Sequence, residues 1–519
     1  MHYQSFLSVC CLNLISFTRL SQASSILFTG ATIIAFDEAL DNLNVIRNGS
    51  LLVKDDRIAG IWPAKSELSS APRDTEVIDA TGKIITPGFI DTHRHGWHTL
   101  FKTLMSNTTI AEYFGRFSEF ASAGRLNPDQ VYISQLAGLY EALNAGVTTT
   151  LDHAHHTFSD DTSYAGLNAS IESGARVIWA YAFHNVTNYT VSEQLVNFRD
   201  IAKAAKFNGT NVDLGIACDF FGGVDAVVQD VDAVFNLARQ WELTRLGNTM
   251  FQSSPHIPLE VLMDTVSNGP RELHTFEMLN ISIPVVLSHA SFLTYEEAAL
   301  MRSSNQFISI NAESEMHAGV THPQSTYIMD HAALGMDTHA WFSTDMVTQA
   351  RLWLQSTRVK RYNQVLETWH VPATNPMSVV QAFRLITRSG GLALHRPDLG
   401  VLSVGAKADL VVFDGTSPGM LGWTDPVAAV ILHSNVGDME HVLVNGHFVK
   451  RDFKLVAKDY LKVKSRFLET ARWAQETWHS IPYPPREEIY VSGAPFKDTL
   501  QIDATPGNGS GYGEVYQYR

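Results

Sequence analysis

The segment PGFIDTHRH ends in two histidines, His93 and His95, spaced two apart. Side chains alternate along a strand, so both imidazoles leave the same face. Two imidazoles converging at a strand end suit a divalent transition metal. The bland alternative is a pair of histidines satisfied by ordinary hydrogen bonds; the position at the end of a strand favours ligation. Other ring side chains gather nearby. Trp97 and His98 follow the pair, His153, His155 and His156 follow a second strand-like run, His184 follows a third, and His339 closes AALGMDTH. An aromatic beside several imidazoles suits a flat, nitrogen-bearing ring substrate. Trp97, His98, His153 and His339 are the preferred substrate contacts, with packing or a surface position as the competing reading of each. Cysteine chemistry is excluded: Cys10 and Cys11 sit at the extreme N-terminus, so the body keeps only Cys218 and can form neither an internal disulfide nor a thiolate metal site.

The elements that must position these groups alternate between strand and helix. Eight strands are expected at Gly88–Thr92, Thr148–Asp152, Arg176–Tyr181, Val212–Cys218, Thr244–Phe251, Pro284–Ser288, Phe307–Asn311 and Ala333–Met336. Between them, Ile133, Leu136, Leu139, Tyr140 and Leu143 recur at helical spacing and Gly146 stops that helix. Thr294 and Glu297 read as a capping box. Eight βα units in series imply an α/β (β/α)8 TIM-type barrel over 86–397, with functional residues at the C-terminal ends of its strands. Short β-rich runs before and after it, over 26–85 and 398–455, imply one small β-sandwich domain built from both ends of the chain. Residues 456–519 read as a C-terminal helix and an irregular tail with no assigned chemistry.

The chain of 519 residues is 45% hydrophobic, enough for a large core and a smaller one. A net charge of -15 without a Lys/Arg cluster argues against nucleic acid. The expected partners are a small-molecule substrate and further copies of the chain in a homo-oligomer. The body holds no stretch long and apolar enough to span a bilayer. Residues 1–25 are a candidate signal peptide: an apolar run from Phe6 to Phe17 precedes the small residues Ser21 and Ala23, although no Lys or Arg precedes the run. Sequons begin at Asn48, Asn107, Asn168, Asn185, Asn188, Asn208, Asn280 and Asn508, which fits a secreted glycoprotein. A cytoplasmic enzyme with chance sequons is the alternative.

PGFIDTHRH resembles the metal-binding signature of the amidohydrolase (metallo-dependent hydrolase) superfamily, and LGVLSVGAKADLVVFD resembles its closing element. Within the superfamily the chain is most similar to the cytosine deaminase and triazine hydrolase (ATZ/TRZ) branch, from about Ile26 to Lys454. The resemblance implies a hydrolase of carbon–nitrogen bonds other than peptide bonds, acting on a small cyclic substrate through a hydroxide held by the metal. His289, ending IPVVLSHA, matches the histidine that contacts substrate or the metal-held water. Asp337 matches the aspartate that ligates the metal and takes the water's proton; Asp345 is a rival that could instead cap a helix. Zinc is the default cation, with Fe2+ and Mn2+ close behind.

The chain departs from the family at its fifth strand, expected to end in a histidine, often as His-x-x-Glu. Gln252 aligns with the histidine and Pro255 with the glutamate. Gln252 as a weaker oxygen ligand, His256 swinging in, or a site with only three protein ligands are the three ways out. Glu313 and Glu315 could carry protons instead, though as residues just past a strand they read more readily as a solvated rim. No lysine stands on the fourth strand, VDLGIACD, which argues for a single metal. The same site could serve a dechlorinase or a decarboxylase, and a degenerate small-molecule-binding barrel is the rival from outside enzymology.

Overall fold

Runs of β-branched and large apolar residues bounded by Gly, Asp and Asn turns form two sheets in the computed structural model, which describes residues 25–63, 72–218, 228–247, 259–263, 269–291, 293–319 and 327–482. One sheet has nine strands from both ends of the chain. Ser25–Asp37, Asn42–Lys54, Arg57–Trp62, Glu76–Asp79 and Ile84–Pro87 precede the central region; Leu410–Phe413, Met439–Val444, His447–Arg451 and Lys454–Leu455 follow it. The two halves join where Ile84–Pro87 pairs antiparallel with Leu410–Phe413. Phe28, Ile33, Leu51, Val412 and Leu443 share a core of their own beneath it.

The second sheet carries the chemistry. Its strands are β1 (Phe89–Arg94), β2 (Val147–Ala154), β3 (Arg176–Phe183), β4 (Val212–Cys218), β5 (Leu259–Met263), β6 (Val285–His289), β7 (Phe307–Ile310) and β8 (Ala332–Leu334). They lie side by side in chain order, every neighbour parallel. The last strand returns to the first: the His93 carbonyl accepts from Met336 N at 2.9 Å and Asp337 N at 2.7 Å, and His95 N donates to the Asp337 carbonyl at 3.0 Å. β2 and β3 are buried along their whole length, as a parallel sheet covered by helices requires.

Local signals explain the helices between. Asn127 and Gln130 form a capping box, Pro128 sits in the first turn, and Gly146 at φ 78° leads out of helix Pro128–Asn144 into β2. Thr294 and Glu297 form the expected box on helix Tyr295–Ser303. Helix Tyr460–Ser480 packs back on the molecule, where Trp478 Nε1 donates to the Arg116 carbonyl at 2.7 Å.

Seven of the eight expected strands stand within two residues of their predicted positions; the fifth does not. Thr244–Gly247 completes helix Val228–Gly247, and the strand between β4 and β6 is Leu259–Met263. A short apolar run has no periodicity that separates strand from buried helix. The expectation that Gln252 ligates metal rested on its closing the fifth strand, yet Gln252 precedes Leu259 in the chain. Gln252 and His256 lie outside the described residues, as do residues 1–24 of the candidate signal peptide over 1–25 and the tail beyond 482. Among the described residues no helix is long and apolar enough to cross a membrane. Asn48, Asn107, Asn168, Asn185, Asn188, Asn208 and Asn280 are all exposed, so a glycan there would meet no packing; Asn508 is outside the described residues.

Candidate active site

His93 and His95 close β1 with both rings buried. The His153 carbonyl, which can only accept, lies 3.0 Å from His95 Nδ1, so that nitrogen carries the proton and Nε2 keeps a lone pair. The Ser288 hydroxyl lies 3.0 Å from His93 Nδ1 and can accept from it in the same way. Both Nε2 atoms then face Asp337 Oδ1, at 3.6 Å from His93 and 3.2 Å from His95. The three ligand atoms lie within 4.8 Å of one another. Burial lowers His95 to about 4, against a smaller upward pull from Asp337. Burial opposes ionisation of Asp337 too, but the imidazoles of His93, His95 and His289 around it outweigh it and hold the carboxyl well below its usual range. Neutral imidazoles beside an ionised carboxylate are the protonation states that cation binding demands, so these residues fit a metal.

Asp337 reaches this point because Gly335 lets the chain pass. A Cβ there would meet Asn311 Oδ1 at 2.2 Å and His93 Cβ at 2.8 Å. Asp337 at φ 60° and His289 at φ 68° both occupy the left-handed region, so backbone strain gathers at the site. The rival, Asp345, caps helix Met346–Leu366: it accepts from Val347 N at 3.0 Å and Thr348 Oγ1 at 2.7 Å.

His289 ends β6 with Nε2 at 3.9 Å from Asp337 Oδ2 and Nδ1 at 3.1 Å from Glu315 Oε1. Glu315 is 1% exposed, so the expectation of a solvated rim residue is overturned. The helix that follows β7, Ala312–Ala318, turns it inward, and Ser314 on the same turn donates to Asp337 Oδ2. Glu313 is only half-buried and accepts from Gln349 Nε2 at 2.8 Å. Burial, reinforced by the Asp345 charge and partly offset by Gln349, pushes its carboxyl up to about 7. A raised carboxyl value means that the folded chain binds more protons than the unfolded one between 4.5 and about 7. Stability from this group is therefore full below 4.5 and lost as pH rises toward 7. Glu313→Gln is expected to flatten the fall in melting temperature over that window; melting curves of both proteins that stay parallel across it would contradict the assignment.

A cavity of about 30 Å3 opens on the cluster, lined by the polar side chains of His95, Glu119, His155, His289 and Asp337 and by the aromatic rings of Tyr113, Phe114 and Trp341. None of the four expected substrate contacts lines it. Trp97 Nε1 donates to His155 Nδ1 at 2.8 Å, His98 Nδ1 pairs with Thr338 Oγ1 at 2.9 Å, and His339 bonds to Thr99. His153 packs beside His93 and His95 and lends its carbonyl. The turn Gly96–Phe101 is wholly buried, which drives Trp97 and His98 into packing instead of into the cavity. His155, stacked on His95 with ring centroids 3.8 Å apart, lines the cavity in their place. Glu119 and Tyr113 carried no sequence signal, since they come from short helices with no period to read. Arg94 is held by Asp91 at 2.6 Å and Gln135 by Asp152 at 2.6 Å, which brace the β1 and β2 ends.

Two other features carry no chemistry. Glu440, His441 and Asp452 gather on the nine-stranded sheet, but Lys83 pairs with Glu440 and Asp452 is exposed. A 400 Å3 surface groove at Tyr362, Leu366 and Pro372 is lined by no His, Cys, Asp or Glu among the described residues.

A family model described as "Amidohydrolase family" matches residues 84–449. A 5-methylthioadenosine/S-adenosylhomocysteine deaminase of Lawsonia intracellularis is 23% identical over 439 residues, covering 83% of this chain and 94% of that one. Among solved structures, a zinc-bound adenosine deaminase of Xanthomonas campestris superposes with a TM-score of 0.71 at 15% identity, covering 88% of this chain and 99% of that one. A zinc complex of an atrazine chlorohydrolase of Arthrobacter aurescens gives 0.70 at 19% identity, covering 86% and 100%.

Proposed function

The chain belongs to the amidohydrolase family, and from that premise we propose that the cluster at the ends of β1, β6 and β8 is a mononuclear metal centre that removes an amino group from a nitrogen-bearing ring. The enzyme is a metal-dependent hydrolase of carbon–nitrogen bonds other than peptide bonds. The observation that carries the site is the convergence of His93 Nε2, His95 Nε2 and Asp337 Oδ1, with the His95 proton tied back to a backbone carbonyl. Those three residues would hold the cation, and zinc suits their nitrogen and oxygen donors, with Fe2+ or Mn2+ as substitutes. A divalent cation bound there lowers the pKa of water toward ~7. Asp337 orients the attacking water and takes its proton; His289, 3.9 Å away, delivers a proton to the departing nitrogen.

The aromatic wall of Tyr113, Phe114 and Trp341 fits a flat ring. An aminopurine or its nucleoside is the proposed class, in line with the names of the relatives. The present cavity is water-sized, so a ring enters only if that wall gives. The same reading makes the eight-stranded sheet a closed (β/α)8 barrel over 86–397, and the nine-stranded sheet a small β-sandwich domain over 26–85 and 398–455.

The test is ammonia release by metal-loaded protein from adenosine, 5'-deoxyadenosine, guanine and aminotriazines, with a chlorotriazine as the contrasting probe. The expected result is ammonia from the aminopurine group, lost on chelation and restored by zinc. Chloride release without ammonia release would make the enzyme a dechlorinase, and tight ring binding without turnover would make it a binding protein.

A further inference from the structure

The fifth strand and the residues after it read LEVLM and DTVSN, so no histidine and no His-x-x-Glu stands there. A buried carboxylate nevertheless meets His289 from the helix that follows β7. Glu315 Oε1 accepts from Asn311 N at 2.8 Å and lies 3.1 Å from His289 Nδ1. Both side chains are almost wholly buried, Glu315 at 1% and His289 at 4% exposure. A carboxylate in that place can only accept, so the proton sits on Nδ1 and Nε2 turns its lone pair toward Asp337.

The Asn311 amide meets the same ring nitrogen. Its nitrogen lies 3.2 Å from His289 Nδ1, while its Oδ1 is buried without a hydrogen-bond partner. The oxygen and nitrogen of an amide are told apart by their partners. Turning the amide over would set Oδ1 against Nδ1–H, so that Asn311 and Glu315 both accept from one donor, and would give up only the 3.5 Å contact of the amide nitrogen with the Ser309 carbonyl. One helical turn thus holds both proton carriers, Ser314 bonded to Asp337 and Glu315 to His289.

We propose that Glu315 is the positioning residue that lets His289 carry a proton from Asp337 to the leaving nitrogen, in place of the His-x-x-Glu carboxylate that the fifth strand lacks. The inference rests on reading the site as a deaminating centre. The water oxygen forms the C–O bond with its own electron pair, and its proton goes to Asp337 Oδ2. His289 Nε2 takes that proton, and the Glu315 carboxylate faces the imidazolium so formed. The C–N bond then breaks with its pair on nitrogen, which accepts the proton from Nε2. Ring–NH2 and H2O become ring–OH and NH3, with no change of oxidation state.

The experiment compares metal-loaded wild type, Glu315→Ala and Glu315→Gln on adenosine and on 6-chloropurine riboside, whose chloride leaves without a proton. For Glu315→Ala the expected result is a fall in kcat for ammonia release of about 10- to 100-fold, with unchanged KM and metal content. Chloride release should stay within a few-fold of wild type. Glu315→Gln, which can still accept from Nδ1, should fall between the two. Equal losses on both probes, or none, would overturn the proposal. A second measurement does not need turnover: 15N NMR of the His289 ring should show the Nδ1–H tautomer in wild type and its loss in Glu315→Ala. A wild-type ring protonated on Nε2, or a tautomer indifferent to the substitution, would also overturn it. If wild type turns over neither probe, the deaminase reading fails, and the NMR result still decides the positioning role.

Discussion

Replacing His93 or His95 with alanine is expected to empty the metal centre and to cut kcat/KM by about 1000-fold or more, while the chain stays folded. A bound cation supplies several kcal/mol of charge stabilisation. At about 1.4 kcal/mol per tenfold in rate, its loss reaches that range. Each imidazole contributes one of the three atoms that converge within 4.8 Å among the described residues, so removing either leaves two of them. The structural cost is smaller. Truncating His95 strips a donor from the His153 carbonyl, and truncating His93 strips a partner from Ser288. A buried group left unsatisfied costs about 1–3 kcal/mol, against about 5–15 kcal/mol for a whole domain. Elemental analysis after dialysis and far-ultraviolet circular dichroism read the two effects separately. A full complement of cation in either variant would remove the central claim about the site.

The pair at the end of β1 was legible because a strand has a strict period: a spacing of two places both rings on one face whatever surrounds them. The same holds for the capping boxes at Asn127 and Thr294, where a local hydrogen bond is encoded by residues three apart. Depth was not legible. Trp97, His98 and His339 are as close in sequence to the chemistry as His155 is, yet packing against Phe101 and Thr99 takes them behind the wall. Contacts through the backbone, such as the His153 carbonyl on His95, leave no trace in residue type. Glu315 was misjudged for a related reason. A carboxylate just past a strand reads as solvated unless the partner that receives it, here a histidine from the preceding strand, is known to face it. The fifth strand failed because a helix end and a buried strand share one composition. The role expected of Gln252 depended on that register, and Gln252 itself lies outside the described residues.

The choice between the two late aspartates gives the other large effect. Asp337→Asn and Asp345→Asn make the same chemical change, a carboxylate to an isosteric amide, at two places with different duties. At Asp337 the amide can neither take a proton nor offer an anionic oxygen to a cation shared with His93 and His95. Loss of a positioned proton acceptor costs about 100- to 10 000-fold in kcat, before any loss of metal is added. At Asp345 the side chain accepts from Val347 N and Thr348 Oγ1 at the start of a helix of 21 residues. Asparagine caps a helix about as well as aspartate, so only the charge facing the helix dipole is lost, about 0.3–1 kcal/mol. Asp345→Asn should therefore melt slightly earlier and keep its cation and its kcat within a few-fold. Asp337→Asn should melt near the wild-type temperature and turn over almost nothing. Measuring kcat, metal content and melting temperature on both variants separates the assignments, because the reverse pattern, an active Asp337→Asn beside a metal-free Asp345→Asn, would move the ligand from the strand end to the helix cap.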